Sequence, residues 1–177
     1  MQQVQNGVAQ AAEAAKSEAD AYRGSEQRPL GGYVVIMALF GALVSGAAGL
    51  AFATGRKLPA GVGPWDLVLL AAGTHKLSRT LSKDAVTSPL RAPFTRYQET
   101  GGPAEVMEEV RHKGGLRHSI GELITCPFCL DVWVAAGFTI GLVFAPRLTR
   151  LVAAGLTATT GADFLHLLYA KAQEVGS

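Results

Sequence analysis

The sequence predicts an all-α, polytopic membrane protein with about four transmembrane helices and an irregular cytoplasmic loop between the second and third. Three observations lead there. Apolar residues make up 49% of the 177 and charged residues only 17%, against roughly 25% charged in an ordinary soluble domain. Mean hydropathy is +0.23. The stretch from Pro29 to Gly55 holds no charged residue at all, and about 20 apolar residues are enough to cross a hydrocarbon core of about 30 Å.

The same figures exclude other classes. Sixteen Lys+Arg against fourteen Asp+Glu leave a net charge of +2, without the basic excess of a nucleic-acid-binding face, so no nucleic-acid partner is expected. The 21 glycines follow no collagen period, and two cysteines cannot build a multi-bridge secreted scaffold or a zinc site made of cysteines alone.

Along the chain, residues 1–28 form a cytoplasmic tail rich in helix formers but with scattered apolar positions, read as a mobile helix or a disordered tail. A helix that binds a protein partner is the alternative there. Residues 33–54 are the first span. This segment is not read as a secretory signal, because a long polar stretch without a basic leader precedes it. The second span is placed at 64–81. Gly63-Pro64-Trp65-Asp66 has the form of a helix start, and Leu67, Leu70, Ala71, Thr74, Leu77, Ser78 and Leu81 share one face. His75, Lys76 and Arg79 crowd its C-terminal half. They either snorkel to headgroups from a spanning helix, the reading adopted, or mark a helix lying in the interface.

The third and fourth spans are placed at 123–145, interrupted by Asp131 and ended by Pro146, and at 151–170, which carries Asp163 and His166. Arg147 and Arg150 lie in the tight turn between them, so the two form an antiparallel pair. A pair of buried helices in a soluble core is the alternative. Orientation is set by loop charge. With the Lys76–Arg117 connection in the cytoplasm, twelve Lys/Arg lie inside and four outside (Arg56, Lys57, Arg147 and Arg150). Both termini are then cytoplasmic, in the cell inner (plasma) membrane.

Within the loop, Pro89 and Pro93 forbid a regular helix over 86–94, and Gly101-Gly102-Pro103 and Gly114-Gly115 divide its remainder. Arg91, Phe94, Arg96 and Tyr97 form a basic-aromatic strip, in which Arg91 and Arg96 either rest on anionic lipid headgroups or are the ordinary charges of a solvated loop.

Chemistry centres on Cys126-Pro127-Phe128-Cys129. Two thiols at this spacing pack structurally, act as a redox dithiol, or supply two ligands to a soft metal. Near a helix N-terminus, Cys126 has a macrodipole that favours thiolate. A cytoplasmic position argues against a permanent disulfide. Zinc, the one cofactor considered, needs further ligands: His75, His112, His118 and Asp131 are available only through folding and none lies at a diagnostic spacing, with His75 and His118 the weak candidates beside the cysteines. No cofactor is otherwise expected. Ionisable groups inside a membrane normally face a partner, so Asp131 or Asp163 is expected to pair with Arg79 or Lys76. Gly41, Ser45 and Gly49, Gly137 and Gly141, and Ala154, Ala158 and Ala162 recur every four residues and are expected to pack helices within the chain. No Walker loop, Ser/His/Asp arrangement, Rossmann fingerprint or zinc-protease helix is present.

With Thr74–Arg79, the run Lys83–Phe94 (KDAVTSPLRAPF) and Gly121–Cys129 (GELITCPFC) through Trp133 in view, the chain resembles the bacterial membrane-protein family catalogued as domain of unknown function 1360. The resemblance covers roughly Asp66–Tyr169, and its most specific part is the Gly-Glu-Leu…Cys-x-x-Cys…Trp block. It implies a bacterial membrane location and gives weight to Asp84, Arg91, Glu122, Cys126, Cys129 and Trp133. It implies no activity. The chain departs from the family pattern at His75-Lys76 and at Asp131. The expected function is therefore a structural or interaction role rather than catalysis, with a membrane thiol redox or metal-binding protein using Cys126 and Cys129 as the alternative.

Overall fold

The computed structural model describes residues 1–23, 28–59 and 61–176; part of the N-terminal tail, at 24–27, lies outside the described residues, as do Ala60 and Ser177. The tail opens with helix α1 (Gln2–Arg23), whose side chains are almost all exposed.

Helix α2 (Leu30–Ala53) carries the long uncharged run. It stops where Gly55 takes a positive φ of 62°. The Gly55 N–H then donates to the Phe52 carbonyl at 3.1 Å and the Arg56 N–H to the Ala51 carbonyl at 2.9 Å. These are the paired bonds of a Schellman ending, and glycine supplies the left-handed residue without steric cost. Helix α3 (Pro64–Lys83) has proline in its first turn with Asp66, and Lys83 in its last turn, the charge order that suits the helix dipole.

Helix α5 (Gly115–Thr125) and helix α6 (Pro127–Phe144) are separated by Cys126, which adopts φ −103° and ψ 106°. The third apolar helix thus begins at Pro127 rather than at 123. The reason is local: the proline ring disfavours helical backbone at the residue before it. Helix α7 (Pro146–Gly176) comes after a turn at Ala145 and runs for 31 residues, about 46 Å at 1.5 Å per residue. That exceeds the 151–170 span read from the sequence.

Three described helices are long and apolar enough to cross a membrane: α2, α6 and α7. Helix α3 is not among them by composition, because its C-terminal half carries His75, Lys76, Arg79 and Lys83. Its position nevertheless ties it to them. Arg150 donates to Asp66 through two bonds of 2.8 Å. Thr157 donates to the Leu69 carbonyl at 3.1 Å and Thr160 to the Ala72 carbonyl at 3.2 Å, and Lys76 meets Asp163 at 2.8 Å. The paired positions rise together, so α3 runs parallel to α7. Gly73 permits the close approach, since a Cβ there would sit 3.4 Å from Ala153 Cα. Helix α2 lies beside α6, where Phe40 and Trp133 meet edge-to-face at 5.2 Å and the Arg56 guanidinium sits 5.9 Å from the Phe144 ring.

The small-residue faces behave differently from the expectation. A Cβ added on Gly41, Gly49 or Gly137 would meet nothing outside its own helix within 4 Å, while one on Gly141 would meet Thr149 Oγ1 at 2.5 Å. Only one of these glycines therefore marks a close backbone approach, because repeat spacing records which residues share a face but not whether a neighbour covers it.

The connection expected to be irregular is folded. A 3-10 turn (Ala85–Thr87) leads into the short helix α4 (Ser88–Arg91), then strands β1 (Thr95–Thr100) and β2 (Val106–Val110). The strands pair antiparallel, with Thr95 opposite Val110 and Thr100 opposite Val106, and the register shifts between Tyr97 and Glu99. Pro89 and Pro93 do stop a long helix, but they leave room for one turn of helix and the hairpin. Helix α5 packs on β2 through Gly121, where a Cβ would lie 2.7 Å from Val110 Cγ1 and 3.3 Å from the Phe94 carbonyl oxygen.

Candidate functional site

The folded segment between α3 and α5 is organised by one side chain. Arg91 is 1% exposed and every nitrogen of its guanidinium is bonded. Nε donates to Glu108 Oε2 at 2.8 Å, Nη1 to the Leu81 carbonyl at 2.8 Å and to Thr87 Oγ1 at 2.6 Å. Nη2 donates to the Asp84 carbonyl at 3.0 Å, and to Ser88 Oγ and Glu108 Oε1 at 3.2 Å each. One residue thus ties the end of α3, the 3-10 turn, α4 and β2 together. The Leu81 and Asp84 carbonyls lie in and just beyond the last turn of α3, where carbonyls lack helical partners, and a cation there also meets the negative end of the dipole.

This overturns the headgroup role expected of Arg91. A buried, fully bonded guanidinium has no free donor for a phosphate, whereas Arg96, in β1, is exposed. Burial alone pushes the Glu108 carboxyl up. The hydrogen bonds and charge of Arg91, with Thr95 and Ser88 as further donors, outweigh that and hold it below the usual range. The one proton of the Thr95 hydroxyl is shared between Glu108 Oε2 at 3.1 Å and the Arg91 carbonyl at 2.9 Å. Asp84 contributes mainly through its backbone, pairing with Glu105 as an isolated bridge.

A second group surrounds the α5–α6 junction. Glu122 accepts a hydrogen bond from the Tyr33 hydroxyl, lies 3.6 Å from the Arg28 guanidinium and 3.3 Å from His118 Nε2. His118 Nδ1 donates to the His112 carbonyl at 2.6 Å. One helical turn past Glu122, Cys126 caps α6 by accepting the Cys129 N–H on its Sγ at 3.2 Å. The two free sulfurs lie 2.6 Å apart, and Cys129 is exposed. They therefore face each other within reach of a partner thiol or disulfide.

The remaining expected residues divide between paired and solitary positions. Lys76 meets Asp163, whereas Arg79 turns to Glu105, donating from Nε at 3.0 Å and from Nη2. Asp131 meets neither base: it lines a groove between α3 and α6, and its Oδ1 is buried without a hydrogen-bond partner among the described residues. Hydropathy and depth could not tell which base faces which acid, because helix rotation and the folded segment decide it. His75 lies in the same groove, far in sequence from His118 and the cysteines. Among the described residues, no three His, Cys, Asp or Glu side chains form a group able to hold a metal, so Cys126, Cys129, His75 and His118 do not converge on a zinc site there.

Sequence patterning missed the Arg91–Glu108 pair and the hairpin that carries it. A signal was present: Thr95 and Tyr97, and Val106 and Val110, are strand formers on either side of Gly101-Gly102-Pro103.

A family model described as "Protein of unknown function (DUF1360)" matches residues 69–169. The chain is also similar to the protein named "Sporulation protein YjcA" of Bacillus subtilis (strain 168), with 37% identity over 76 residues. That alignment takes in 42% of this chain and 64% of the relative's length. No solved structure matches.

Proposed function

The chain belongs to the DUF1360 family, and from that premise we propose that it is a four-span protein of the cell inner membrane. On this reading both termini are cytoplasmic, and the protein works by presenting its folded cytoplasmic cap (residues 84–125) to a partner. The observation that carries the proposal is the Arg91 network, which holds a polar hairpin rigidly on the end of a helical bundle. Such a rigid platform needs little ordering on binding, and so loses less affinity to conformational entropy than a mobile loop. The exposed side chains of β1, Arg96 and Tyr97 among them, are the surface offered. Arg96 is also the residue available to anionic headgroups, and the largely exposed α1 is a further surface for a protein partner.

Three features support α3 as the fourth span. It runs beside α7 from Asp66 to Lys76, its threonine-bonded carbonyls are shared with that helix, and its long basic side chains gather at the end that carries the cap. The orientation rests on the positive-inside distribution of Lys and Arg.

The test is two-sided labelling on intact cells and inverted vesicles. Cys126 and Cys129 are expected to react from the cytoplasmic side only, and Lys57→Cys, in a variant lacking the native pair, from the opposite side only. Labelling of both from one side overturns the topology. For the cap, a photo-crosslinker at Tyr97 is expected to capture a discrete adduct that Arg91→Met abolishes; an adduct unchanged by that substitution overturns the platform reading.

A second reading is favoured by the juxtaposed sulfurs. Cys126 and Cys129 would exchange with a partner disulfide: one thiolate attacks a partner sulfur, and the other thiol resolves the mixed disulfide. The partner leaves as a dithiol and the pair remains as a disulfide. Cys→Ser at the resolving position is then expected to trap the mixed species on a non-reducing gel, and Cys→Ser at the attacking position to prevent its formation. Failure of both single variants to trap removes this reading. Equal zinc in the wild type and in the double Cys→Ser variant removes the metal-binding one.

A further inference from the structure

The groove between α3 and α6 has an unusual distribution of chemistry. It is an open furrow of about 480 Å³, in the roughly 300–1,000 Å³ size range of small-molecule sites but without their enclosure. Its walls are Leu67, Leu70 and Ala71 from α3 and Val132 and Ala135 from α6, while His75 and Asp131 lie at one end. The two helices run in opposite directions past each other, so that Leu67 and Thr139 lie towards the other end.

Depth matches this gradient. Asp131 is four residues past Pro127, about 6 Å along α6, and Thr139 is twelve residues past it, about 18 Å. With a hydrocarbon core of about 30 Å, the groove descends from the headgroup boundary to near the midplane. An apolar channel with its charge at the surface end is shaped like the membrane's own lipids. The charge is also unmet. Asp131 Oδ1 is buried with no donor among the described residues, although Lys76 and Arg79, on the neighbouring helix, pair with Asp163 and Glu105. Buried carboxylate oxygens left without a donor are costly; Oδ1 itself is closed to solvent, so a ligand carrying N–H donors on a cation would meet the carboxylate where Asp131 lines the groove.

Resting on the reading above that α3 spans the bilayer, we propose that this groove is a binding site for one phospholipid with a primary-ammonium headgroup. Its acyl chain lies along Leu67, Leu70, Val132 and Ala135, and its ammonium donates to Asp131. A primary ammonium presents three N–H donors; a quaternary choline headgroup presents none and an anionic glycerol headgroup adds repulsion. The site therefore selects by headgroup as well as by chain.

Native mass spectrometry of the purified full chain tests this, in detergent supplemented with equimolar phosphatidylethanolamine, phosphatidylcholine and phosphatidylglycerol. The wild type is expected to retain a single phosphatidylethanolamine, favoured by about tenfold, the scale of one charge-assisted hydrogen bond. Asp131→Asn is expected to keep lipid but lose the headgroup preference. Ala135→Phe, which fills the groove, is expected to lose the bound lipid altogether. Unchanged selectivity in Asp131→Asn, or equal retention of all three lipids by the wild type, overturns the proposal. Thermal unfolding in detergent checks that each variant folds. The two-sided labelling of Lys57→Cys and of the native cysteines separates the two readings: labelling of both from one side defeats the spanning of α3, while labelling from opposite sides without lipid selectivity defeats only the lipid site.

Discussion

The helical bundle and the cap are built on opposite principles. In the bundle, large apolar side chains such as Val34, Leu39, Phe52, Leu165 and Leu168 point outwards, and among the described residues the buried apolar set is Ala51, Phe138, Leu142 and Ala153. Bilayer lipid would solvate the outward faces, so such helices need close contact and a few shared hydrogen bonds rather than a greasy interior. In the cap, the buried residues are Arg91, Thr95, Ser119 and Gly121, joined from the end of α3 by Ser78 and Ser82. Directed hydrogen bonds hold this region. Damage to the bundle should therefore scale with lost packing, and damage to the cap with lost polar partners.

The sharpest break is Arg91→Met. It leaves Glu108, whose side chain is 6% exposed, without its cation, and orphaning a buried charge costs about 3–5 kcal/mol. The cap is expected to become protease-sensitive between residues 84 and 114 while the apolar helices stay protected. Resistance equal to wild type would break the contrast. The double variant Arg91→Met/Glu108→Leu is expected to recover part of the loss, because both members of the pair are then gone.

Next in size are two glycine substitutions that probe close approach in each region. Gly121→Ala in the cap pushes a methyl against Val110, and Gly141→Ala in the bundle pushes one against Thr149. Each is expected to cost about 1–3 kcal/mol of overpacking. Gly137→Ala, with nothing within 4 Å, is the neutral control. Thermal unfolding in detergent compares all three, and equal effects at Gly137 and Gly141 would mean that α6 and α7 do not meet as described.

Acid separates the regions further. The folded-state pKa of Glu108 is depressed, so its contribution is fully present above its unfolded value near 4.5 and is lost as pH falls through the folded value. Cap protection is expected to fade below that range in wild type. In Glu108→Gln protection should be lower at neutral pH and flat in that window; an identical acid profile would remove Glu108 as the group responsible. The smallest expected effect is Lys76→Met. Its ion pair with Asp163 is part-exposed, at 22% and 53%, and such pairs contribute roughly 0–1 kcal/mol. A large loss would show that this pair is sealed from water and more important to the bundle than its exposure indicates.

Legibility in the sequence was uneven for physical reasons. The first apolar helix could be read because a long uncharged run has few alternatives to a span. Helix α3 was placed by its Gly-Pro-Trp-Asp start even though its composition alone falls short of a span. The hairpin escaped because β1 and β2 are short, charged and exposed, with no apolar alternation to reveal them. The family resemblance singled out Arg91 and Glu122, yet chemistry assigned from residue type sent Arg91 to the lipid surface. Cys126 was legible as a helix start through Pro127, but its facing sulfur was not.

By itself the sequence determined where the oily helices lie and roughly how long they are, since hydropathy and proline act over a few neighbouring residues. Only the tertiary structure decided that Arg91 seeks Glu108, that Lys76 meets Asp163 across 87 positions of chain, and that Asp131 is left beside a groove. A hydrogen bond depends on distance and angle between groups that chain closure brings together, and no local sum of residue properties contains that information.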